Sequence, residues 1–341
     1  METMQSARYL GPHCIEVVEL SVPALRDGEA LVKVEACGIC GSDLGIFQGV
    51  HPRAQPPLTP GHEFCGRVVD IKGALESPLR VGDRVAAFPL IACGQCYACR
   101  HGNPHVCRQL RIYGFDADGG MAEYAKLPVE NLIQIADSLP AEAGAMIEPL
   151  AVGIHSFSRV PVHDEDTVLI LGAGTIGLLV AIVAKQRGVG RIVITDVAPS
   201  RLALAKQLDL EALDAQSPAL RETILDVTSE EGADVLFECT GSPDVALQMT
   251  DLVRGRGTIV NVGVFKKPVS VDLQVVNFKE LQMLGSRVYS IEDFRLAVEM
   301  APSLPTAELI TGRFSLHEVG EAFDLLNSGT HGGKILLGVS G

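Results

Sequence analysis

Residues able to bind a metal recur in short segments of the first 150 residues. The segment ACGICGSD holds two cysteines, Cys37 and Cys40. Further along, TPGHEF contains His62 and Glu63, and AMIEPLAVG contains Glu148. One cysteine, one histidine and one or two carboxylates from separate segments would give a zinc ion three protein ligands and leave one position open. An open position is what distinguishes catalytic zinc from structural zinc.

Each of these residues also has a plainer interpretation. A C-x-x-C pair can form a redox disulfide, but a thioredoxin-like pair opens a helix, whereas this one follows the strand-like run EALVKVEA. His62 could be a hydrogen-bonded core histidine, and Glu148 a surface carboxylate or a helix cap. Asp43 follows Cys40 by three residues, a position from which it could orient His62 through the second ring nitrogen.

A second cluster of cysteines lies in CGQCYACRHGNPHVC. Its members are Cys93, Cys96, Cys99 and Cys107. The C-x2-C-x2-C-x7-C spacing allows a compact tetrahedral cage of four thiolates, which is typical of structural zinc. Iron–sulfur proteins use similar runs and are the alternative. Because the segment is polar, metal must supply its folding energy, and the closed cage predicts a site that shapes a loop without doing chemistry.

A glycine-rich motif follows the apolar run TVLIL and precedes a long apolar segment. It consists of Gly172, Ala173, Gly174, Thr175, Ile176 and Gly177. In that setting the glycines permit a tight turn, close approach of a pyrophosphate, and close packing of helix on strand. The N-terminus of the helix would attract the phosphates.

A carboxylate in a suitable place supports this interpretation of the glycine-rich motif. Asp196 ends the next strand-like run, where it could bind both ribose hydroxyls and repel a 2′-phosphate. The sequence therefore favours NAD over NADP, although the positive charge of Arg201 could weaken that preference. The alternative for Asp196 is a helix cap or turn residue.

The elements that must position these residues fall into two types. Residues 1–155 contain short β-type runs broken by Gly and Pro, which predicts an irregular β-rich domain. Strands alternate with helices over 156–290, which predicts a doubly wound parallel sheet. The tail predicts a strand, an amphipathic helix and a strand, and residues 291–341 are expected to complete the first domain. The fold class is α/β, and the apolar stretch 271–285 is interpreted as a strand suited to subunit association.

Composition excludes several classes of function. The net charge of −14 disfavours nucleic acid as a partner. No apolar run is long enough to span a bilayer, and the N-terminal residues lack the pattern of a secretory signal. We therefore expect no membrane association and a cytoplasmic location, where nine cysteines are more plausible as ligands or buried groups than as disulfides.

The order of these motifs resembles that of the medium-chain zinc-dependent alcohol and polyol dehydrogenases over nearly the whole chain. The matching stretches also include GDRVAAFPLIACGQCYACRHG, DGGMAEY and HGGKILL. The resemblance implies a GroES-like catalytic domain, a Rossmann domain, one catalytic and one structural zinc per chain, and a homodimer or homotetramer. Sorbitol, galactitol-1-phosphate 5- and hexonate 5-dehydrogenases look most similar.

The resemblance also assigns roles at the catalytic centre. It implies that Cys40 and His62 are ligands, and that Glu63 and Glu148 share or exchange the remaining protein position with water. The hydroxyl of Ser42 matches the group that contacts the reacting alcohol. Cys37 matches no ligand and would be a buried bystander.

The same resemblance implies that the glycine motif and Asp196 bind the cofactor. In that family the end of one strand faces the nicotinamide, and the matching residues here are Val262, Gly263 and Val264. Arg287 is a candidate for binding a carboxylate or phosphate on the substrate, with a salt bridge as the alternative. Many relatives have a relay histidine where this chain has Gly45, so the proton must leave through water, the ribose, Glu63 or His51.

These features predict oxidation of a secondary alcohol of a polyol, sugar alcohol phosphate or sugar acid, with transfer of hydride to NAD+. The same chemistry on a small diol or threonine is the nearer alternative, and a non-catalytic zinc-binding protein is the distant one. The substrate, the direction of the reaction in the cell and the oligomer number are beyond the sequence.

Overall fold

A computed structural model describes residues 2–74 and 77–339. Its contacts divide the chain into two units. The first comprises Met1–Glu148 with Ser290–Gly341, and the second comprises Pro149–Tyr289. The sequence interpretation put the boundaries at 155/156 and 290/291, and the division into domains stays a prediction.

Strands account for most of the first unit and alternate with helices in the second. The strands are β1 (Thr3–Gly11), β2 (Cys14–Ser21), β3 (Glu29–Ile39), β4 (Glu63–Lys72), β5 (Arg84–Ala87), β6 (Leu90–Ile91), β7 (Arg111–Ile112), β8 (Tyr124–Pro128), β9 (Leu132–Gln134), β10 (Thr167–Leu171), β11 (Arg191–Asp196), β12 (Glu211–Asp214), β13 (Ala233–Glu238), β14 (Val253–Asn261), β15 (Gln282–Gly285), β16 (Ile310–Ser315) and β17 (Lys334–Gly338). The helices are α1 (Gly41–Phe47), α2 (Tyr97–Arg100), α3 (Ala141–Ala145), α4 (Ile147–Ser158), α5 (Thr175–Gln186), α6 (Pro199–Gln207), α7 (Leu220–Val227), α8 (Pro243–Gln248), α9 (Leu273–Phe278), α10 (Ile291–Met300), α11 (Thr306–Leu309) and α12 (Val319–Ser328).

The second unit contains a parallel six-stranded sheet with the order β12-β11-β10-β13-β14-β15. Its two central strands, β10 and β13, are the short apolar runs TVLIL and ADVLFE, and most of their residues are buried. Strands covered on both faces by helices read as continuous apolar runs. Chain order reverses direction between β10 and β13, and ligands of open α/β sheets bind at such a switch point.

The first unit is built on a larger, mostly antiparallel sheet with the order β16-β17-β3-β4-β5-β9, with β8 also pairing with β3. The strands β16 and β17 run parallel to one another, and β17 is antiparallel to β3. Strand β3 pairs with β17, β4 and β8, so it holds together residues that are distant in sequence. Its end at Ile39 leads directly into the first cysteine segment.

The structure confirms the predicted α/β class, with a β-rich unit and a parallel doubly wound sheet. The tail forms the predicted strand, helix and strand as β16, α12 and β17. One local prediction is wrong: within 271–285 only Gln282–Gly285 is a strand, and Leu273–Phe278 forms helix α9. Asp272 caps that helix by accepting hydrogen bonds from Gln274 N and Val275 N, a local signal that outweighs the β-propensity of its valines.

Candidate zinc and dinucleotide sites

The turn from β3 into α1 places the first group of site residues. Cys40 immediately precedes α1, and the carboxylate of Asp43 accepts a hydrogen bond from Cys40 N at 2.9 Å. Asp43 is completely buried. Ser42 lies between them on the first turn, and its buried Oγ has no hydrogen-bond partner among the described residues. The helix start therefore fixes a thiol, a hydroxyl and a carboxylate in one turn of chain.

A glycine turn at the start of β4 places the second group. Gly61 has a φ of +96°, and a Cβ there would lie 2.6 Å from the sulfur of Cys37. The chain then presents His62 and Glu63, both buried. His62 Nδ1 is 3.7 Å from Asp43 Oδ1, within ion-pair range but too far for a hydrogen bond, and orientation of the ring by Asp43 stays a prediction.

The two groups meet in one metal-like cluster. Donor atoms of Cys40, His62 and Glu63 all lie within 4.8 Å of one another. Glu148, buried in the first turn of α4, is outside that group as far as the described residues extend. The donor set of thiol, imidazole and carboxylate suits zinc. The structure thus brings together three of the four predicted ligands, and ligation by Glu148 stays a prediction.

Burial and nearby charges shift the pKa of two groups in this region, Cys37 and His62. Burial, followed by the nearby carboxylates of Asp43 and Glu63, raises the pKa of Cys37 well above its usual value. A thiol that stays protonated is a poor nucleophile and a poor ligand. Burial alone would lower the pKa of His62. Asp43 and Cys40 together have a larger, opposite effect, so the net shift is upward. Metal binding would have to displace that proton.

Sequence reasoning missed one residue of this cluster. The ammonium of Lys334, which is 3% exposed, forms an ion pair with Glu63 Oε2. The available signal in HGGKILL is a lysine directly before a run of apolar residues. Lys334 begins β17, next to the end of β3, and is brought there by strand pairing.

The four cysteines of the second cluster converge within the segment that contains α2. The sulfur of Cys99 is 4.0 Å from that of Cys93 and 3.5 Å from that of Cys96, and Cys96 is 3.9 Å from Cys107. Thiolates at about 2.3 Å around a tetrahedral zinc ion are about 3.8 Å apart. The cage therefore fits zinc.

Backbone N–H groups point at the sulfurs of this cage. Cys107 accepts from Cys93 N and from Gln109 N, both at 3.3 Å, and Cys93 accepts from Cys96 N at 3.4 Å. The N–H of Cys99 is the main cause that lowers the pKa of Cys96 to about 6. Donors already aimed at sulfur favour the thiolate form that a metal requires.

The glycine motif forms the predicted turn between β10 and α5. Gly172 has a φ of +102°, and a Cβ there would lie 2.8 Å from Thr240 Cγ2. A Cβ at Gly177 would overlap the carbonyl oxygen of Gly172, so helix and turn pack too closely for any side chain. Gly174 precedes the twelve-residue helix α5 and faces open space, which suits the close approach of a phosphate.

Asp196 takes one of the two roles weighed for it, that of a turn residue, and its binding of ribose hydroxyls stays a prediction. Its Oδ1 accepts from Ala198 N at 2.9 Å, which makes it a turn residue before α6. Its Oδ2 accepts from Ala173 N at 2.8 Å, which ties the end of β11 to the glycine turn. A carboxylate has about four acceptor positions, so two remain for ribose hydroxyls. Arg201 Nη1 is 3.6 Å from Oδ2.

Sequence reasoning also missed a buried carboxylate at the end of β13. Glu238 is 0% exposed and accepts hydrogen bonds from the N–H and hydroxyl of Thr240 and from Gly241 N. Its own backbone carbonyl accepts from Val262 N and Gly263 N. Glu238 thus joins the turns that follow β13 and β14. The sequence signal for this buried carboxylate is an acidic residue at the end of an apolar strand, as in LFECTG.

The remaining predicted residues are placed but not assigned. Val264 is 85% exposed and follows Val262 and Gly263 just beyond β14. Arg287 is exposed, just beyond β15. Gly45 faces open space, and its carbonyl accepts from the backbone of His51 at 3.0 Å.

The ring of Phe115 connects the surroundings of His51 with the cluster. Its centroid lies 4.8 Å from that of His51 and 4.7 Å from that of His62. His51 is therefore separated from the nearest proposed ligand by one aromatic ring.

Comparisons with known proteins agree with this arrangement. Residues 26–137 match the family model for the alcohol dehydrogenase GroES-like domain, and residues 175–303 match that for zinc-binding dehydrogenase. The chain is 36% identical to an erythritol/L-threitol dehydrogenase of Mycolicibacterium smegmatis, with 98% of each chain covered. It is 34% identical to an L-threonine 3-dehydrogenase of Mesorhizobium japonicum, covering 93% and 94%. It is also 34% identical to an L-galactonate-5-dehydrogenase of Escherichia coli, covering 90% and 91%.

Solved structures show the same likeness. An Escherichia coli alcohol dehydrogenase in complex with NADH superposes with a TM-score of 0.92 at 30% identity, covering 99% of this chain and 100% of that one. Galactitol-1-phosphate dehydrogenase of Escherichia coli superposes with a TM-score of 0.91 at 27% identity, covering 98% and 100%. With both zinc-type ligand sets and the glycine turn in place, the chain belongs to the medium-chain zinc-dependent alcohol and polyol dehydrogenase family.

Proposed function

We propose that this dehydrogenase oxidises a secondary alcohol of a polyol, sugar alcohol phosphate or sugar acid to the ketone and passes the hydride to NAD+. The observation that carries the proposal is the buried cluster of Cys40, His62 and Glu63, with Ser42 beside it. A buried hydroxyl next to three metal donors is arranged to handle the proton of an alcohol.

The chain's own residues would hold zinc and move one proton. Cys40, His62 and one of the carboxylates Glu63 and Glu148 would hold the ion. When bound there, zinc would polarise the substrate hydroxyl and lower its pKa. Ser42 Oγ, which bonds to no described residue, can accept a hydrogen bond from the substrate hydroxyl and take up its proton while releasing its own. Asp43 keeps the ring of His62 oriented.

The proton has a route outward that does not need a histidine at position 45. His51 Nδ1 accepts from Ala54 N at 3.0 Å, so the proton of the neutral ring is on Nε2. Burial, followed by the charge of Arg53, lowers the pKa of His51, which favours this neutral ring. The ring would take up a proton on Nδ1 in exchange for the Ala54 hydrogen bond and release the Nε2 proton to water. We assign His51 as the outer acceptor, reached from Ser42 through water or the cofactor ribose.

The cofactor assignment depends on Asp196. A carboxylate at the end of the second strand of the parallel sheet accepts ribose hydroxyls and repels a 2′-phosphate. NAD+ held there would supply the acceptor for the hydride. The glycine turn and the N-terminus of α5 supply N–H groups for the pyrophosphate, and the residues Val262 to Val264 are proposed to face the nicotinamide.

The substrate class is supported by the relatives named erythritol/L-threitol and L-galactonate dehydrogenases and by the galactitol-1-phosphate enzyme. All three names describe polyhydroxylated carbon chains. Arg287 is proposed to bind a terminal carboxylate or phosphate. The second candidate, oxidation of threonine, is favoured by the L-threonine 3-dehydrogenase at 34% identity. We further propose a cytoplasmic homodimer or homotetramer. No described helix is long and apolar enough to cross a membrane.

Formation of NADH, followed by absorbance, tests the proposal. The panel contains erythritol, threitol, hexitols, hexitol phosphates, hexonates, butanediol and threonine, each with NAD+ and NADP+. A chelator-sensitive rate with NAD+ on a polyol or sugar acid is expected. A rate on threonine alone would replace the first candidate by the second. No rate on any compound, from protein that holds zinc and binds NADH, would exclude both.

A further inference from the structure

Strand pairing places a buried cation against a proposed zinc ligand. Lys334 directly precedes Ile335, which pairs with Ile39, so the lysine lies beside the point where β3 gives way to Cys40. Only 3% of its side chain is exposed, and its ammonium contacts Glu63 Oε2. An ammonium in such a place is stable only when it is paired.

The ion pair occupies the space that a side chain at position 38 would fill. A Cβ at Gly38 would overlap Glu63 Oε2 and lie 2.9 Å from Lys334 Cε. Gly38 lies on β3, Glu63 on β4 and Lys334 on β17, so the pair crosses three adjacent strands over the residue that lacks a side chain.

Glu63 thus has two partners available to it. One is the ammonium, and the other is a metal ion held by Cys40 and His62, whose donor atoms lie within 4.8 Å of its carboxylate. We propose that Lys334 is a positioning residue that competes with the catalytic metal for Glu63 and so keeps this carboxylate from being a permanent ligand. Because Glu63 belongs to the proposed catalytic site, this inference rests on the proposed function.

The test uses the full-length protein loaded with cobalt(II), whose visible absorption reports the ligand set. Lys334→Met removes the competitor, so Glu63 joins the metal and the d–d bands shift. Chelator then removes cobalt from the variant about 10- to 100-fold more slowly, the range that groups around metal ligands usually control. The four-cysteine site contributes equally to every spectrum and cancels in difference spectra between variants.

Four further variants, one of them the single variant Glu63→Gln, keep the test decisive. The double variant Lys334→Met/Glu63→Gln buries no unpaired charge, so it folds even if Lys334→Met alone does not. Its cobalt spectrum is expected to match that of Glu63→Gln. Lys334→Arg keeps the cation and the wild-type bands. Lys126→Met is the matched control, since Lys126 pairs with Glu29 at 3.5 Å in the same unit.

Three outcomes would overturn the inference. If wild type binds cobalt with thiolate bands, and both the bands and the release rate are unchanged by Lys334→Met, Lys334 does not compete for Glu63 and the proposed function stands. If wild type shows no cobalt site beyond the four cysteines, the inference and the proposed function fail together. A spectral change in Lys334→Met that persists in the double variant would also overturn it, because Glu63 would not be the cause.

Discussion

Glu238 provides the sharpest link between one buried side chain and the cofactor site. It is completely buried at the end of β13, and its carboxylate accepts hydrogen bonds from three donors on Thr240 and Gly241. The Thr240 side chain packs where a Cβ of Gly172 would otherwise be, and a Cβ at Gly241 would lie 2.8 Å from the carbonyl oxygen of Val264. Removing the carboxylate should therefore release the turn that supports both neighbouring turns.

The size of the effect follows from the number of donors left without an acceptor. Each hydrogen bond to a charged group contributes about 1.5–3 kcal/mol, so Glu238→Leu loses roughly 4–9 kcal/mol of interactions. Because leucine also removes the cost of burying a charge, we expect a net destabilisation of about 3–5 kcal/mol. Glu238→Gln keeps an acceptor oxygen and loses only the charge, so about 1–2 kcal/mol is expected.

Two measurements on each variant test this prediction. Unfolding in urea gives the free energy of unfolding, and fluorescence titration gives the Kd for NADH. We expect Glu238→Leu to weaken NADH binding at least tenfold, which corresponds to about 1.4 kcal/mol. Glu238→Gln should fall between that variant and wild type. The exposed Glu222 of α7, changed to leucine, serves as the control for the substitution itself.

Three results can be distinguished. Loss of both stability and NADH affinity in Glu238→Leu, with partial rescue by glutamine, supports a carboxylate that positions the cofactor turns. Loss of stability with an unchanged Kd would limit Glu238 to a structural role. Wild-type values for both would refute the reasoning, because they would mean that water replaces the carboxylate without cost.

Three further predictions follow from the other sites. Cys99→Ser should lower the zinc content by about one ion per chain and make the segment 93–107 sensitive to protease, while the cobalt bands of the other site persist; zinc analysis and limited proteolysis measure this. His51→Gln should lower kcat about 10- to 100-fold. The variant should also lack the fall in activity that wild type shows at acid pH, because protonation of His51 below its lowered pKa prevents it from accepting a further proton. An unchanged pH–rate profile would exclude this route. Asp196→Ser should raise the kcat/KM ratio of NADP+ to NAD+ at least about tenfold, since it removes a like charge and frees Arg201 from its ion pair; a constant ratio would show that Asp196 does not select the cofactor.

The sequence by itself determined the features that depend on short spacings. The cage of Cys93, Cys96, Cys99 and Cys107 forms within fifteen residues of CGQCYACRHGNPHVC, so its spacing was enough to predict it. The glycine turn is equally local, because Gly172 and Gly177 are constrained by each other. Alternation of apolar runs with helices predicted the parallel sheet. The order of motifs added the family, and with it the choice of Cys40 over Cys37.

The tertiary structure alone decided which distant residues share a site. Pairing of β17 with β3 brings Lys334 to Glu63. The local sequence does not indicate which strands become neighbours, so this contact could not be predicted. Glu238 became visible only through its burial and its bonds to the turns after β13 and β14. The helix at Leu273–Phe278 escaped prediction because a single cap at Asp272 outweighed strand-like composition. Long-range pairing and burial depend on the whole chain, whereas metal cages and glycine turns depend on a few consecutive residues.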